Sequence, residues 1–375
     1  MNQTMSLTAL RMAQIQQQYS QQLMEGTAFS IADFLNYGDF RLDDYCKQLY
    51  PHPQSEEIIR IAQQYCEEHG IWCDNAKHYI TCELYLYPDA QFDRMLAMVE
   101  NNAIDYYLND VVGRDLFGHL KAAEQMEARN LMKRMASVDH RLLLPADATP
   151  VEKANVEILT FMKETSPAIW FEEFMQLYCY HIDVTHRDGN SDALGHIPSV
   201  EAYIDLRCHT SGMHHIVLLI EYAEGNFLNK EWCAAAGIDQ YLQRVNFLTA
   251  AFGCLSNDLF SFEKEVIDNS TDANLLMAVA LNHPEYTFNE VIGSAAKIVQ
   301  DVLIELLDLM DKINLQLSRS SEADADKIAR LNKHLKGIDK CVQASWLWQV
   351  YTRRYKRPAS IWLETQLPNP IAKAV

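Results

Sequence analysis

The stretch NDLFSFEKE, residues 257–265, ends a long run of helical periodicity and is unusually polar for a segment whose neighbours are apolar. Asn257, Ser261 and Glu265 are spaced four residues apart. Four-residue steps keep side chains on one helical face, so an amide, a hydroxyl and a carboxylate lie in a line. These oxygen ligands suit a hard cation such as Mg²⁺. An ordinary solvated helix face is the alternative interpretation.

The composition indicates a globular protein. The chain has 375 residues, 49% of them hydrophobic and 22% charged. Its longest apolar runs, such as IVLLI at 216–220, are too short to cross a bilayer. The N-terminal residues lack a basic stretch followed by an apolar core, so the sequence predicts no secretory signal.

Net charge and cysteine spacing limit the classes of ligand and the cellular compartment that the sequence predicts. A formal net charge of -19 argues against nucleic-acid binding, which needs a basic surface. A phosphorylated ligand remains compatible if metal ions and local cations shield it. The nine cysteines are scattered and form no CxxC pair, which indicates reduced thiols and a cytoplasmic location.

Helical periodicity runs from end to end, and no convincing alternating strand is visible. The sequence therefore predicts an all-α fold. We expect one helical domain over 28–358, a polar arm or helix at 1–27 and a tail at 359–375. The predicted helices are 55–69, 91–108, 116–136, 150–182, 198–222, 230–267, 287–317 and 324–355.

A second acidic cluster lies in NAIDYYLNDVVGRD, residues 102–115. Asp105 and Asn109 share one helical face, Asp110 lies beside them, and Asp115 follows after a glycine. Carboxylates at the end of an apolar helix, next to aromatic rings, fit the rim of a cavity. An ordinary polar helix end is the alternative.

Two further segments carry cationic donors. In PSVEAYIDLRCHTSG, Arg207 lies late on an amphipathic helix that Ser211-Gly212 then interrupt. In YTRRYKR, Arg354 and Tyr355 offer a fork of donors and a phenol to a phosphate. For Arg207 the alternative is a surface ion pair. For YTRRYKR the alternative is a basic helix end that complements the helix macrodipole.

The four segments at 102–115, 198–212, 257–265 and 351–357, in their order along the chain, resemble those of class I terpene synthases of the microbial type. The resemblance covers roughly residues 28–358. NDLFSFEKE fits that family's second metal motif, Asn-Asp-x-x-Ser-x-x-x-Glu. The resemblance implies that Asn257, Ser261 and Glu265 are metal ligands. Lys264 matches the basic residue often found before the glutamate.

The resemblance also implies roles for the cationic segments. Arg207 would sense the substrate diphosphate, Ser211-Gly212 would form the helix-break effector, and Arg354-Tyr355 would donate to the diphosphate.

The first metal motif departs from the family's usual pair of aspartates. This chain has Asn109-Asp110 at the corresponding position. Its spacing from Arg207 makes Asp110 the first choice of ligand, with Asp105 second.

The family implies a helical bundle around a central apolar cavity. Mg²⁺ ions, three of them, with Mn²⁺ as a substitute, would bind the diphosphate of a linear isoprenyl substrate, farnesyl or geranylgeranyl diphosphate. The allylic cation would then cyclise, and a homodimer is compatible with the family. Aromatic faces stabilise cations. The candidate aromatic residues, for which core packing is the alternative, are Tyr106, Tyr107, Phe247 and Trp346.

Two other functions stay open. A squalene- or phytoene-synthase-like enzyme would couple two prenyl chains, although its paired Asp-x-x-x-Asp motifs are missing. A non-catalytic helical scaffold would use the acidic surface for an interaction. The product skeleton, and whether the last cation loses a proton or captures water, do not follow from the sequence.

Overall fold

Helices make up nearly all regular structure in residues 6–47, 50–73, 76–112, 120–318 and 324–367, which the computed structural model describes apart from the side chains at 78, 79, 111 and 112. The α-helices, numbered along the chain, are α1 (Leu7–Met24), α2 (Ile31–Leu35), α3 (Leu42–Tyr45), α4 (Ser55–Glu68), α5 (Ala76–Leu86), α6 (Phe92–Tyr107), α7 (Ala122–Ala136), α8 (Pro150–Glu164), α9 (Ala168–Thr185), α10 (Ser191–Leu194), α11 (Val200–Thr210), α12 (Met213–Ala223), α13 (Lys230–Ala235), α14 (Asp239–Phe262), α15 (Leu275–Asn282), α16 (Phe288–Leu317) and α17 (Ala325–Tyr351).

Two π-helical segments, Leu108–Val112 and Glu263–Asp268, extend α6 and α14. Short 3₁₀ turns follow α17 at Arg353–Tyr355 and Leu363–Thr365. Within the described ranges no β-strand forms beyond isolated bridges such as Phe29 with Trp362. The predicted all-α fold is confirmed.

Local signals in the sequence set the starts of two long helices. Thr149 caps α8, its backbone N–H donating to Glu152 Oε2 at 2.8 Å, and Pro150 occupies the first helical position. Thr287 and Glu290 form the same reciprocal capping box on α16.

Three predicted helices are each divided in the structure. The predicted 150–182 breaks before Pro167, which caps α9, because proline disfavours helical geometry in the residue before it. The predicted 230–267 breaks at Gly237, whose φ of +69° lies in the left-handed region. The predicted 198–222 breaks at Gly212, as the sequence pattern indicated.

The long helix α14 lies at the centre of the packing. It contacts α16, α12, α17 and α11, and its last four turns are almost wholly buried. A second group of helices surrounds α6, which packs against α5, α4 and α8. The two predicted metal motifs thus occupy the C-terminal ends of α6 and α14.

Described segments near both ends of the chain pack against the core. Arg11 of α1 is buried and donates from Nε to the Ala280 carbonyl oxygen at 3.0 Å. Near the other end, the Phe29 N–H donates to the Ile361 carbonyl oxygen at 2.7 Å, and Trp362 is fully buried. The division at 27/28 and 358/359 stays a prediction, yet α1 and the C-terminal segment belong to the same hydrophobic core.

Two further properties follow from the described residues. None of their helices has the length and apolarity needed to cross a membrane. All nine cysteines carry free thiols.

Candidate active site

One cavity brings the predicted elements together. It has a volume of about 190 Å³ and is bounded by residues of α5, α6, α9, α11, α12, α14 and α17. The predicted site residues that line it are Asp105, Tyr106, Asn109, Arg207, Ser211, Asn257, Glu265, Arg354 and Tyr355. Larger cavities of about 470 and 540 Å³ lie elsewhere, and neither contains a residue of these motifs. We therefore assign the candidate site by its chemistry and not by its size.

The second metal motif spans the junction of α14 with its π-helical extension. Asn257 Oδ1 accepts from Arg207 Nη2 at 3.1 Å, and Asn257 Nδ2 donates to the Tyr355 hydroxyl at 2.7 Å. Glu265 Oε2 accepts from Asn274 Nδ2 at 3.0 Å. The motif thus already contacts both predicted cationic segments.

Ser261 is the buried member of this motif. It does not line the cavity, and its Oγ has no hydrogen-bond partner among the described residues. A buried hydroxyl without a partner is costly, so it indicates a ligand. The amide, hydroxyl and carboxylate oxygens of Asn257, Ser261 and Glu265 fit a hard divalent cation. No cluster of three or more His, Cys, Asp or Glu side chains suited to a metal occurs in the described parts of the chain.

Arg207 is held by a residue that the sequence analysis did not assign a role. Asp258 is fully buried, and its Oδ1 accepts from Arg207 Nε at 2.8 Å. Its Oδ2 accepts from the Tyr203 hydroxyl at 2.5 Å and the Leu275 N–H at 2.9 Å. Burial opposes the charge on Arg207, but the Asp258 carboxylate raises the pKa of the guanidinium, which stays protonated. The arginine is therefore fixed beside the second metal motif.

The first acidic cluster faces a histidine. Asp105 Oδ1 lies 2.8 Å from His181 Nε2, and His181 Nδ1 lies 2.8 Å from the His209 carbonyl oxygen. Burial by itself would raise the pKa of Asp105, but the charge and hydrogen bond of His181 lower it to about 2. Burial likewise opposes charge on His181, whereas Asp105 raises its pKa. The pair forms an ion pair on the cavity wall.

The other residues of this cluster follow in the π-helical turn. Asn109 lines the cavity, and its Nδ2 donates to Asp110 Oδ1 at 2.9 Å. Asp110 itself is not among the lining residues. Asp115 lies outside the described residues. The choice of ligand within the cluster stays a prediction.

The C-terminal pair lies in the 3₁₀ turn after α17. Thr352 Oγ1 accepts from the Arg354 N–H at 3.3 Å and so caps this turn. Arg354 and Tyr355 both line the cavity, and their role as donors to a diphosphate stays a prediction. Lys264, on the π-helical extension of α14, does not line it.

The helix break between α11 and α12 is a geometric requirement. Gly212 has a φ of +76°, and a Cβ at this position would lie 2.8 Å from His215 Cε1. Ser211, at the end of α11, lines the cavity beside it. Only glycine fits this backbone without displacing the histidine.

The predicted aromatic residues differ in their placement. Tyr106 lines the cavity, whereas Tyr107, Phe247 and Trp346 do not. Trp346 instead packs edge-on against Phe260, with ring centroids 5.1 Å apart. Trp348, which the sequence analysis did not single out, lines the cavity. Two helical residues of separation put the side chains of 346 and 348 on different faces of α17.

A second buried carboxylate connects the metal motif to α1 and to the segment at 360–361. Glu263 Oε1 accepts from the Tyr19 hydroxyl at 2.8 Å and the Ile361 N–H at 3.0 Å. Its Oε2 accepts from the Ser360 hydroxyl at 2.5 Å. The sequence gives no signal for this role, because the three partners come from remote segments.

Comparison with known proteins identifies the family of the chain. The profile of terpene synthase family 2, described as C-terminal metal binding, matches residues 106–304, more than half of the chain. The chain is similar to 10-epi-cubebol synthase of Sorangium cellulosum (strain So ce56), 22% identical over 315 residues that cover 82% of this chain and 95% of that protein. It is also similar to sesquiterpene synthase Agr3 of Cyclocybe aegerita, 27% identical over 186 residues, 49% and 47% of the two chains.

Solved structures support the same fold. The crystal structure of α-eudesmol synthase superposes with a TM-score of 0.67 at 15% identity, covering 81% of this chain and 96% of that chain. Together with the profile match, which includes the second metal motif and Arg207, these likenesses identify the chain. It belongs to terpene synthase family 2 and has the helical fold of the class I terpene synthases.

Proposed function

We propose that this protein ionises a linear isoprenyl diphosphate in a Mg²⁺-dependent reaction and cyclises the resulting cation to a terpene. The supporting observation is that one cavity is lined by oxygen ligands, by Arg207 and Arg354, and by apolar side chains such as Leu86 and Ile216. We take farnesyl diphosphate as the substrate, because one relative is named a sesquiterpene synthase and sesquiterpenes derive from that chain length. Geranylgeranyl diphosphate is the alternative.

The metal would be held from two walls of the cavity. Asn257, Ser261 and Glu265 supply an amide, a hydroxyl and a carboxylate from α14 and its extension. Asp110, beside the lining residue Asn109, would supply a carboxylate from the first motif, and Asp105 is the alternative. Bound Mg²⁺ ions, three by analogy with the family, or Mn²⁺ in their place, would supply positive charge to the leaving diphosphate.

The donors of this chain would bind and orient the diphosphate. Arg207 is already fixed through its Nε by Asp258, which leaves its terminal nitrogens beside Asn257. Arg354, Tyr355 and Lys264 complete the donor set. As the carbon–oxygen bond breaks, its electron pair leaves with the diphosphate, and these fixed donors stabilise the growing negative charge.

The cavity would then control the allylic cation. The rings of Tyr106 and Trp348 line the wall, where aromatic faces stabilise positive charge. Ser211 and Gly212 turn the backbone between α11 and α12 toward this space. New carbon–carbon bonds form as the double bonds of the isoprenyl substrate attack the cation. The reaction ends when the last cation loses a proton or captures a water molecule.

The proposal is tested by supplying the purified protein and Mg²⁺ with geranyl, farnesyl and geranylgeranyl diphosphate in turn. We expect release of diphosphate together with a cyclic terpene, most efficiently from farnesyl diphosphate, and loss of both on chelation of the metal. A product of doubled chain length would indicate a prenyl-coupling enzyme. Absence of diphosphate release from all three substrates would contradict the proposal.

Arg207→Lys is expected to lower kcat/KM by about 10-fold or more, because lysine keeps the charge but loses the planar fork that joins Asp258 and Asn257. Arg244→Lys is the matched control. Arg244, also on helix α14, makes a comparable two-point pair with Glu305 of α16, but this pair lies on the exposed surface. Steady-state kinetics that give equal rates for the lysine variant at 207 and the wild type would rule out the sensor role.

Asp110→Asn is expected to raise the Mg²⁺ concentration for half-maximal rate by about 10-fold or more. Asp105→Asn is expected to lower the melting temperature instead, because Asp105 is already the ion-pair partner of buried His181. Rates over a range of Mg²⁺ concentration and thermal unfolding of both variants distinguish the two. If only Asp105→Asn raises the Mg²⁺ requirement, the ligand of the first motif is Asp105, five residues before Asp110.

A further inference from the structure

A groove of about 470 Å³ lies outside the proposed active site, between α4, α6 and α8. Its apolar walls come from all three helices, and four of its six polar side chains are carboxylates. The apolar lining residues are Ile61, Leu96, Ala97, Ile158 and Phe161. The carboxylates are Glu68, Asp93, Glu100 and Glu157. Among the described lining residues none is basic.

Glu100 distinguishes this groove from an ordinary acidic surface. Its residue surface is 9% exposed, whereas Glu68, Asp93 and Glu157 are exposed. In the described part of the chain, the Glu100 carboxyl group has no hydrogen-bond or ion-pair partner. Its carboxyl oxygens are not among the polar atoms that the fold seals from solvent, so the carboxyl group faces the groove without a partner among the described residues, and nothing in the proposed reaction uses it.

We infer that this groove is a second binding site, which takes an organic ammonium ion with its charged end on Glu100 and its hydrocarbon part on the apolar walls. The ammonium would give Glu100 the partner that the fold does not supply. The ring of Tyr65 also lines the groove, and aromatic rings attract cations. The exposed carboxylates would attract the cation from solution.

An inorganic cation fits the groove less well. Mg²⁺ needs several oxygen ligands in near-octahedral geometry, and it keeps much of its water. No three acidic, histidine or cysteine side chains of the described residues are arranged to hold a metal. The apolar walls would contact the methylene groups of an alkylammonium ion but would gain nothing from a hydrated metal.

Binding should be linked to proton release. Burial and then the charge of Glu157 raise the pKa of Glu100 to about 8, so at pH 7 the free protein holds it mainly protonated. The cation favours the ionised form, so a proton leaves on binding, and affinity rises as pH increases through about 8. The titratable groups near Glu100 are Tyr65, Cys66 and Glu68 of α4, Asp93 of α6 and Glu157 of α8, which pairs with His69 at 3.6 Å.

The test is calorimetric titration of the full-length protein with n-butylammonium and putrescine, with n-butanol and Mg²⁺ as comparison ligands. The titrations are repeated at pH 7 in buffers that differ in ionisation enthalpy. We expect the ammonium ions to bind and the observed binding enthalpy to depend on the buffer, because the buffer takes up the proton that Glu100 releases. Glu100→Gln should weaken binding by about 10-fold or more and abolish the proton release.

Glu67→Gln is the matched control. Glu67 is an exposed glutamate of α4 that accepts from Gln63 and does not line the groove. The Glu67→Gln variant should bind the ammonium ions as the wild type does, and circular dichroism should show that both variants are folded. The inference is overturned if n-butanol binds as tightly as n-butylammonium, if only Mg²⁺ binds, or if Glu100→Gln retains wild-type affinity.

Discussion

Glu265→Gln is expected to lower the turnover of an isoprenyl diphosphate by about 100-fold while leaving the fold intact. The substitution removes the only carboxylate among the three proposed ligands of the second metal motif, and the uncharged Asn257 and Ser261 cannot replace it. The fold should survive because a glutamine oxygen can still accept the hydrogen bond that Asn274 Nδ2 donates. Initial rates at saturating Mg²⁺, together with circular dichroism and thermal unfolding, measure both parts of this result.

Asp268→Asn is the matched control for Glu265→Gln. Asp268 lies on the same π-helical segment, but its carboxylate pairs with Arg357 and does not line the cavity. We expect this variant to keep nearly all activity. Equal rates for Glu265→Gln and the wild type would remove Glu265 from the metal site, and an equal loss in both variants would indicate a general disturbance of this segment.

Asp258→Ala is expected to lower the free energy of unfolding by roughly 3–5 kcal/mol, which is typical of breaking a buried ion pair. Asp258 is fully buried and accepts from Arg207, Tyr203 and the Leu275 N–H, so its removal leaves three donors without their acceptor. These donors connect α14 to α11 and to the start of α15. Denaturant unfolding monitored by circular dichroism gives the free-energy change.

The control for Asp258→Ala is Asp301→Ala. Asp301 forms an exposed ion pair with Lys297 one turn away on α16, and such surface pairs contribute about 0–1 kcal/mol. A change below about 1 kcal/mol for Asp258→Ala as well would show that Arg207 and its neighbours find other partners. Asp258 would then not be the residue that fixes Arg207.

Much of the fold was predictable because its signals are local. Helical periodicity gives the long helices, and the reciprocal caps at Thr149 and Thr287 are visible as short residue patterns. The break at Gly212 was predicted from a glycine in a helical run. The breaks at Pro167 and Gly237 were missed because apolar periodicity continues across both residues.

The candidate site was predictable only where residues form a spaced motif. Asn257, Glu265, Arg207 and Tyr355 line one cavity, as the order of motifs indicated. Asp258 lies within the quoted motif, but its role depends on contacts with α11 and α15 that local spacing does not reveal.

The supports around the site depend on long-range contacts. Glu263 joins α1 to the C-terminal segment, and the relevant partners lie hundreds of residues apart in sequence. The choice between Trp346 and Trp348 as a cavity wall depends on the rotation of α17 about its axis, which packing determines.

The central claim is that metal and diphosphate bind in the cavity that residues of both motifs line. Anomalous diffraction from crystals grown with Mn²⁺ and inorganic diphosphate tests it most directly. The account predicts Mn²⁺ peaks coordinated by Asn257, Ser261 and Glu265 and by the Asp110 side of the cavity, with Arg207 on the diphosphate. Mn²⁺ bound only at other residues, with the second motif free of metal, would contradict it.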